Sequence, residues 1–145
     1  MKNKVLLFII LLYSTLAFSQ QKVTWEDLSN VKYTEKYFHN YDEYFKYPTF
    51  LPSVMDLEGK QIKITGYFFN IAPEQGVYIL SKTPMSSCFF CGQGEPNTVI
   101  ELQCEETPNF KTDAIVSVTG KLRLNSDDVE HFNFIIENCI VELTN

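Results

Sequence analysis

The sequence after Lys60 alternates apolar and polar residues with a period of two, in five separate segments. A side-chain period of two is typical of a β-strand that buries one face. The five predicted strands cover residues 60–68, 76–81, 98–104, 116–124 and 132–143. The chain is therefore predicted to be mostly β.

Glycines interrupt this alternation in a way that favours a barrel. Gly66 and Gly120 lie within the first and fourth predicted strands, where a barrel strand must bend. Five bent strands predict a small closed or partly open barrel of the OB type, and a two-layer β-sandwich is the alternative. The apolar phase of the fifth strand slips by one residue near 137–138, which predicts a β-bulge.

Residues 20–59 are expected to form an N-terminal arm with short helices ahead of the barrel domain, residues 60–145. Thr24 and Asp27 are typical of a helix start, and a second helical turn is predicted between Pro52 and Gly59. Between them lie eight aromatic residues: Tyr33, Tyr37, Phe38, Tyr41, Tyr44, Phe45, Tyr47 and Phe50. We expect these rings to pack on the outside of the sheet, and stacking on bases or sugars is the alternative.

The first 19 residues have the layout of a secretory signal peptide. Two lysines precede an apolar run at 5–12, and Ala17 and Ser19 supply the small residues of a cleavage site. The alternative is an N-terminal membrane anchor, for which the run is short, since a membrane span needs ~20 residues. We therefore expect cleavage before Gln20 and a periplasmic or secreted mature protein with no membrane span.

The charge of the chain argues against nucleic acid as a partner. The formal net charge is -6, from 18 acidic and 12 basic residues. Loss of residues 1–19 removes two lysines and no acid, which leaves a formal charge of -8. Arg123 is the single arginine, and no basic run occurs. An acidic chain suits a metal ion, a cationic ligand or a basic partner, and the alternative, which the charge alone favours, is that it only keeps an exported protein soluble.

The loop SSCFFCGQGEP, residues 86–96, sets Cys88 and Cys91 three positions apart. Haem attachment requires a His after the second Cys, and Gly92 stands there. A thioredoxin-like dithiol requires a helix after the first Cys, whereas glycine and proline follow here. A metal knuckle and a structural disulfide stay open, with redox exchange the weakest of the three.

An OB arrangement brings further ligand types to this loop. The third and fifth strands of such a barrel are parallel, so the loops before them open at the same end. Zinc needs about four N, S or O ligands. The candidate metal ligands are therefore Cys88, Cys91, Glu95, Asp128 and His131.

Two more cysteines lie on the strands themselves. Cys104 and Cys139 share the inward phase of the third and fifth predicted strands. Six residues at ~3.3 Å each put Cys104 about 20 Å from the CxxC loop. We expect these two cysteines, free or bridged, to be structural parts of the core.

The sequence is similar to a widespread bacterial family of small exported domains of unassigned function. The similarity lies in TWEDL at 24–28, LEGKQIKITGYF at 57–68, and the loop through Pro96 and Asn97 into TVIEL. Family members are often encoded near periplasmic metal-transport systems, so the resemblance implies a zinc-linked accessory role and a transport component as partner. Many members carry Cys-x-His in this loop, and the resemblance implies that Cys91 takes the place of that His.

No sequence pattern indicates an enzyme. The chain has two histidines, no G-x-S-x-G elbow and no glycine-rich phosphate loop, so neither a catalytic pair nor a nucleotide cofactor is predicted. The first hypothesis is an exported, non-catalytic, zinc-binding accessory protein that uses the CxxC loop. The alternative is an OB-like module that binds a protein or glycan, with the CxxC as a structural disulfide.

Overall fold

A computed structural model describes residues 20–88, 92 and 94–144. The strands are β1 (Gln21–Lys22), β2 (Val31–Phe38), β3 (Glu43–Phe50), β4 (Gln61–Ala72), β5 (Val77–Ser81), β6 (Val99–Cys104), β7 (Ile115–Leu124) and β8 (Phe134–Leu143). One α-helical turn, α1 (Pro52–Met55), and 3₁₀ turns at Pro73–Gln75, Met85–Ser87 and Pro96–Thr98 connect them. In the described part of the chain, no helix has the length and apolar character that a membrane crossing requires.

Five strands close into a barrel in the order β4, β5, β6, β8, β7 and back to β4. Residues 61–67 of β4 pair with β7, and residues 67–72 pair with β5. The β6–β8 pair is parallel, and the other barrel pairs are antiparallel. The OB-like barrel is therefore confirmed, and the sandwich alternative does not describe this chain.

The inward residues of the alternating pattern form one core. Its barrel members include Ile62, Ile64, Phe68, Leu80, Ile100, Leu102, Val116, Val118, Leu122, Phe134 and Ile136. Phe68 stacks on Tyr78 with 5.8 Å between ring centroids and meets Phe110 edge-on at 5.7 Å. Burial of these apolar side chains is the main source of stability, at about 25 cal/mol for each Å² removed from water.

The first described residues cover the part of β4 that does not pair with β5. β1 pairs in parallel with β4, and the Trp25 indole donates a hydrogen bond of 2.8 Å to the carbonyl of Thr65. Gly66 makes room for this indole, because a Cβ at Gly66 would lie 2.6 Å from the Ser81 carbonyl oxygen and 3.0 Å from the Trp25 ring.

The short helix expected at residues 24–28 is a hydrogen-bonded turn in the structure, so that prediction was wrong. Its capping contacts are present: the backbone N–H and the hydroxyl of Thr24 each donate to Asp27 Oδ2 at 2.8 Å. These two hydrogen bonds lower the pKa of Asp27. The turn ends at once because Ser29 bonds back to the Glu26 carbonyl through its backbone N–H and its hydroxyl. The turn predicted between Pro52 and Gly59 is present as α1, with Gly59 at φ 73°.

The aromatic stretch forms a β-hairpin, although its sequence pattern predicts no strands. β2 and β3 pair antiparallel over eight residues each, and Asp42 adopts φ 54° in the connecting turn. Phenylalanine and tyrosine favour strands, and cross-strand aromatic pairs stabilise them. The rings occur in both phases of β2 and β3, so the alternation that marks a strand is hidden. Residues 31–50 are called the aromatic hairpin below.

The predicted bulge in the last strand is confirmed. The pairing of β8 shifts by one residue against both β6 and β7, and Asn138 adopts φ 51° there. Gly120 faces the bulge on β7, where an added Cβ would lie 2.5 Å from Ile136 Cγ2 and 2.7 Å from the Glu137 carbonyl oxygen. The bulge and this glycine therefore require each other.

We expect Gly120→Ala to lower the free energy of unfolding by about 1–3 kcal/mol, because the bulge must shift to admit a methyl group. Urea unfolding measures this change. Lys121→Ala, at the exposed neighbouring position, is the control and should change stability by less than about 0.5 kcal/mol. Equal effects of the two substitutions would contradict the dependence of the bulge on Gly120.

Cys104 and Cys139 form a disulfide between the parallel strands β6 and β8, 35 residues apart in sequence. Cys139 belongs to the buried core, and Cys104 packs against it. The bridge lies at the far end of β6 from the loop that contains Cys88. The disulfide thus links two neighbouring strands that are not joined by a short loop.

Cys104→Ser/Cys139→Ser should lower the free energy of unfolding by about 3–4 kcal/mol, because a loop of this length gains that much freedom in the unfolded chain. Thermal unfolding of the variant beside the oxidised wild type measures the loss. Reduction of the wild type should reproduce it. A variant as stable as the oxidised protein would show that the bridge adds nothing to the barrel.

Candidate functional site

A cleft of about 390 Å³ separates the aromatic hairpin from the loop between β7 and β8. Its hairpin wall consists of Phe38, Tyr44, Phe45 and Lys46. The opposite wall comes from the loop of residues 125–133, called the acidic loop below. This loop carries Asp127, Asp128 and Glu130, of which Asp128 and Glu130 line the cleft. Pro96, from the loop before β6, closes one end. Two separate connections of the barrel and the hairpin thus meet around one space.

The rings of the hairpin wall support one another. Phe38 and Phe45 meet edge-on at 5.7 Å, and Tyr41 meets Phe45 at 5.8 Å. Tyr44 nevertheless leaves 65% of its surface exposed, and Tyr41 leaves 45%. Large aromatic faces held in place but open to water are suited to contact with a ligand, because their burial releases free energy when a partner arrives.

The acidic loop is held in one shape by Asn125, which is 8% exposed. Its side-chain amide donates to the carbonyls of Asp128, His131 and Phe132 at 2.7, 3.1 and 3.2 Å. Its side-chain oxygen accepts the backbone N–H of Asp128 at 3.1 Å. A single buried side chain therefore organises the loop without a helix or a strand.

Two exposed contacts join the hairpin to the acidic loop. Lys36 Nζ lies 3.1 Å from Asp127 Oδ1, and the Tyr41 hydroxyl lies 3.4 Å from Glu130 Oε1. Two contacts lower the pKa of Asp127: the hydrogen bond from Ser126 has the larger effect, and the contact with Lys36 has the next largest. Burial and the charge of Glu130 raise the pKa of Tyr41. Exposed contacts of this kind are individually weak, so the outer part of the hairpin is lightly fastened.

Closer to the barrel, the hairpin buries a hydroxyl group. The Tyr33 hydroxyl oxygen is shielded from water and has no hydrogen-bond partner among the described residues. Burial raises the pKa of Tyr33 well above its usual value, and the negative charge of Glu95 raises it further. Glu95 therefore lies close enough to the hairpin for its negative charge to oppose ionisation of Tyr33.

Tyr33→Phe should keep the fold and raise the free energy of unfolding by about 1 kcal/mol at neutral pH, because it removes an unpaired buried hydroxyl. The raised pKa keeps Tyr33 neutral in the folded state while the unfolded chain ionises, so stability does not depend on this group below the unfolded pKa of about 10 and falls as pH rises above it. The wild type should thus lose more stability than Tyr33→Phe between neutral pH and about pH 11, as measured by urea unfolding. The exposed-ring control Tyr44→Phe should keep the wild-type pH profile. An equal alkaline loss in Tyr33→Phe would contradict the assignment to Tyr33.

The structure places two of the predicted metal ligands, Asp128 and His131, in the wall of the cleft. Glu95 precedes the 3₁₀ turn that contributes Pro96. His131 Nδ1, however, lies 2.8 and 3.0 Å from the two carboxylate oxygens of Glu101. The neighbouring loop residues are therefore near one another, but the imidazole is already engaged by a carboxylate.

Glu101 is a functional candidate that sequence reasoning missed. Its side chain is 12% exposed and accepts from His131, the backbone N–H of Phe132 at 3.1 Å and Gln103 Nε2 at 2.8 Å. This carboxylate fixes the end of the acidic loop to β6. In the sequence it is an ordinary polar residue in the outward phase of a strand, and the one signal that could have found it is its position opposite the loop in an OB topology.

The structure describes the first cysteine of the CxxC loop but not the second. Cys88 is a free, fully buried thiol in a small cluster with Phe69, Ile79 and Val99. Cys91 lies outside the described residues. Within residues 20–88, 92 and 94–144, no three His, Cys, Asp or Glu side chains are close enough to hold a metal ion. The described residues by themselves therefore do not support the predicted zinc site, and its ligand set including Cys91 stays a prediction.

Comparison with known proteins adds a fold relationship. No family model matches the sequence, and no curated protein matches it either. Among solved structures, the chain is similar to a DUF3299 family protein from Pseudomonas aeruginosa PAO1. The two share 11% identity with a TM-score of 0.57, over 88% of this chain and 97% of the other. At this identity the comparison shows a shared fold alone. The other protein is itself a domain of unknown function.

Proposed function

We propose that this protein is a non-catalytic interaction module that binds a peptide or glycan in the cleft between the aromatic hairpin and the acidic loop. The observation that carries the proposal is the pairing of exposed rings on one wall with an ordered, carboxylate-bearing loop on the other. Rings provide stacking surface, and carboxylates accept hydrogen bonds from hydroxyl or ammonium groups. A cavity of about 390 Å³ is within the range of specific ligand sites.

The proposed setting is the periplasm or the exterior of the cell. The signal-peptide pattern of residues 1–19 supports this setting, and a disulfide between Cys104 and Cys139 suits an oxidising compartment. A transport component as partner rests on the sequence resemblance alone. The expected ligand is therefore one that is present outside the cytoplasm.

A zinc-binding role draws less support from the described residues. Cys88 is buried among apolar side chains, and His131 is paired with Glu101. A direct comparison is zinc titration of the reduced wild type beside Cys88→Ser/Cys91→Ser. Equal binding by the two proteins would end the metal hypothesis for this loop, whereas stoichiometric binding lost in the variant would restore it above the interaction module.

We expect peptide and glycan arrays probed with the wild type to give ligands whose affinity falls at least tenfold in Tyr44→Ala, because that ring provides the most exposed aromatic face of the cleft. Isothermal titration of the selected ligands measures the change. Leu143→Ala is the matched control, since Leu143 is 60% exposed and lies on β8 away from the cleft. No array ligand, or equal loss in both variants, would contradict the proposal.

A further inference from the structure

Lys36 places its ammonium group between two aromatic rings and a carboxylate. Its Nζ lies 3.9 Å from the centroid of the Tyr47 ring and 5.2 Å from that of Phe38. The two rings are 6.5 Å apart and inclined by 40°. Asp127 Oδ1 approaches the same nitrogen at 3.1 Å. The group formed by Phe38, Tyr47 and Asp127 is called the ammonium cage below.

The ammonium cage follows from the strand pattern of the aromatic hairpin. Lys36 pairs with Phe45 across the hairpin, and Thr34 pairs with Tyr47. Residues two apart share a face of a strand, so Lys36, Phe38 and Tyr47 lie on one face of the hairpin. Asp127 reaches this face from the acidic loop, whose shape Asn125 fixes. Each member is thus positioned by structure that does not depend on the lysine.

The chemistry of the ammonium cage is that of cation recognition. The face of an aromatic ring is electrostatically negative, and rings around a carboxylate are a common way to hold an organic ammonium group. The hydrogen bond from Ser126 lowers the pKa of Asp127, which keeps the carboxylate charged. The acidic residues Asp128 and Glu130 follow directly in the loop and add to the attraction for a cation.

The bound lysine is not locked in place. The Lys36 side chain is 45% exposed and Asp127 is 70% exposed, so water reaches both partners of the ion pair. An exposed ion pair of this kind is weak, and the four-carbon stem of lysine allows it to leave without a change in the backbone. Phe38 lines both the ammonium cage and the cleft, whereas Lys36, Tyr47 and Asp127 lie outside the lining of the cleft, so the two sites adjoin at Phe38.

We propose that the ammonium cage is a binding site for a lysine side chain of a basic peptide, and that Lys36 occupies it as an internal competitor when no partner is bound. A lysine side chain fits the ammonium cage because the group that now occupies it, Lys36, is itself a primary ammonium on a four-carbon stem. This inference rests on the proposed function, because it names the ligand class for a position that adjoins the same cleft at Phe38. It makes the affinity for the partner depend on displacement of a residue of the hairpin.

The test titrates a blocked Gly-Lys-Gly peptide into the wild type and Lys36→Met, followed by NMR shifts of the hairpin residues. Removal of the competitor should tighten binding about fivefold or more. Lys32→Met is the matched control, since it removes an exposed lysine from the same face of β2 without vacating the ammonium cage. It should leave the affinity within about twofold of wild type. Equal affinities in Lys36→Met and Lys32→Met would overturn the proposal.

Two further measurements check that the peptide binds through its lysine ammonium group. In the Lys36→Met background, Asp127→Asn should weaken binding at least fivefold, and the same peptide with norleucine in place of lysine should not bind. Choline that binds more tightly than the lysine peptide would also overturn the peptide assignment. Thermal unfolding checks that each variant is folded, and Lys36→Gln replaces Lys36→Met if the latter is not.

The inference and the proposed function fail in different ways. Array ligands that require Tyr44 but are indifferent to Lys36 would leave the interaction module intact and reject the ammonium cage. Lysine-peptide binding that rises in Lys36→Met but does not change in Tyr44→Ala would support the ammonium cage and reject the wider cleft. The two sets of variants therefore give separate answers.

Discussion

The barrel depends on the double pairing of β4, which bonds to β7 through its first half and to β5 through its second. A strand that serves two neighbours in succession must bend sharply, and the absence of a side chain at Gly66 lets the Ser81 carbonyl and the Trp25 ring approach the bend. Because this strand closes the barrel, it also determines which loops meet. The cleft is a consequence of that closure.

Much of the barrel can be predicted from the sequence because its strands obey simple rules. Ile62 and Ile64 alternate with polar residues and are buried, and the slipped phase near 137–138 marks a real bulge. The aromatic hairpin escapes this reasoning, since rings at Tyr37 and Phe38 fall in opposite phases and the pattern looks continuous. Such a segment is defined by pairing between its two halves, which a single strand pattern does not reveal.

The candidate site was predictable to the extent that topology places it. Parallel third and fifth strands bring Asp128 and His131 toward the loop before β6, and both line the cleft. The partners of these residues were not predictable. Glu101 engages His131 across 30 residues of sequence, and Cys88 is buried because its loop covers apolar residues on the outer face of the sheet. Both contacts depend on the conformation of loops, which the period-two pattern of the strands does not predict.

The two ends of the aromatic hairpin meet where they leave the barrel. The Leu51 N–H donates to the Asn30 carbonyl at 3.0 Å, and Phe50 packs edge-on against Phe134 of the core. Because its ends adjoin and its core contacts lie at its base, the outer part of this insertion places little constraint on the geometry of the barrel. Length and composition near the turn of the hairpin can therefore drift in evolution, or be exchanged by grafting, while Val31 and Phe50 keep their packing on the core and the barrel keeps its register. In this molecule the exposed rings near the hairpin turn and the apolar core of the barrel belong to separate stretches of one chain.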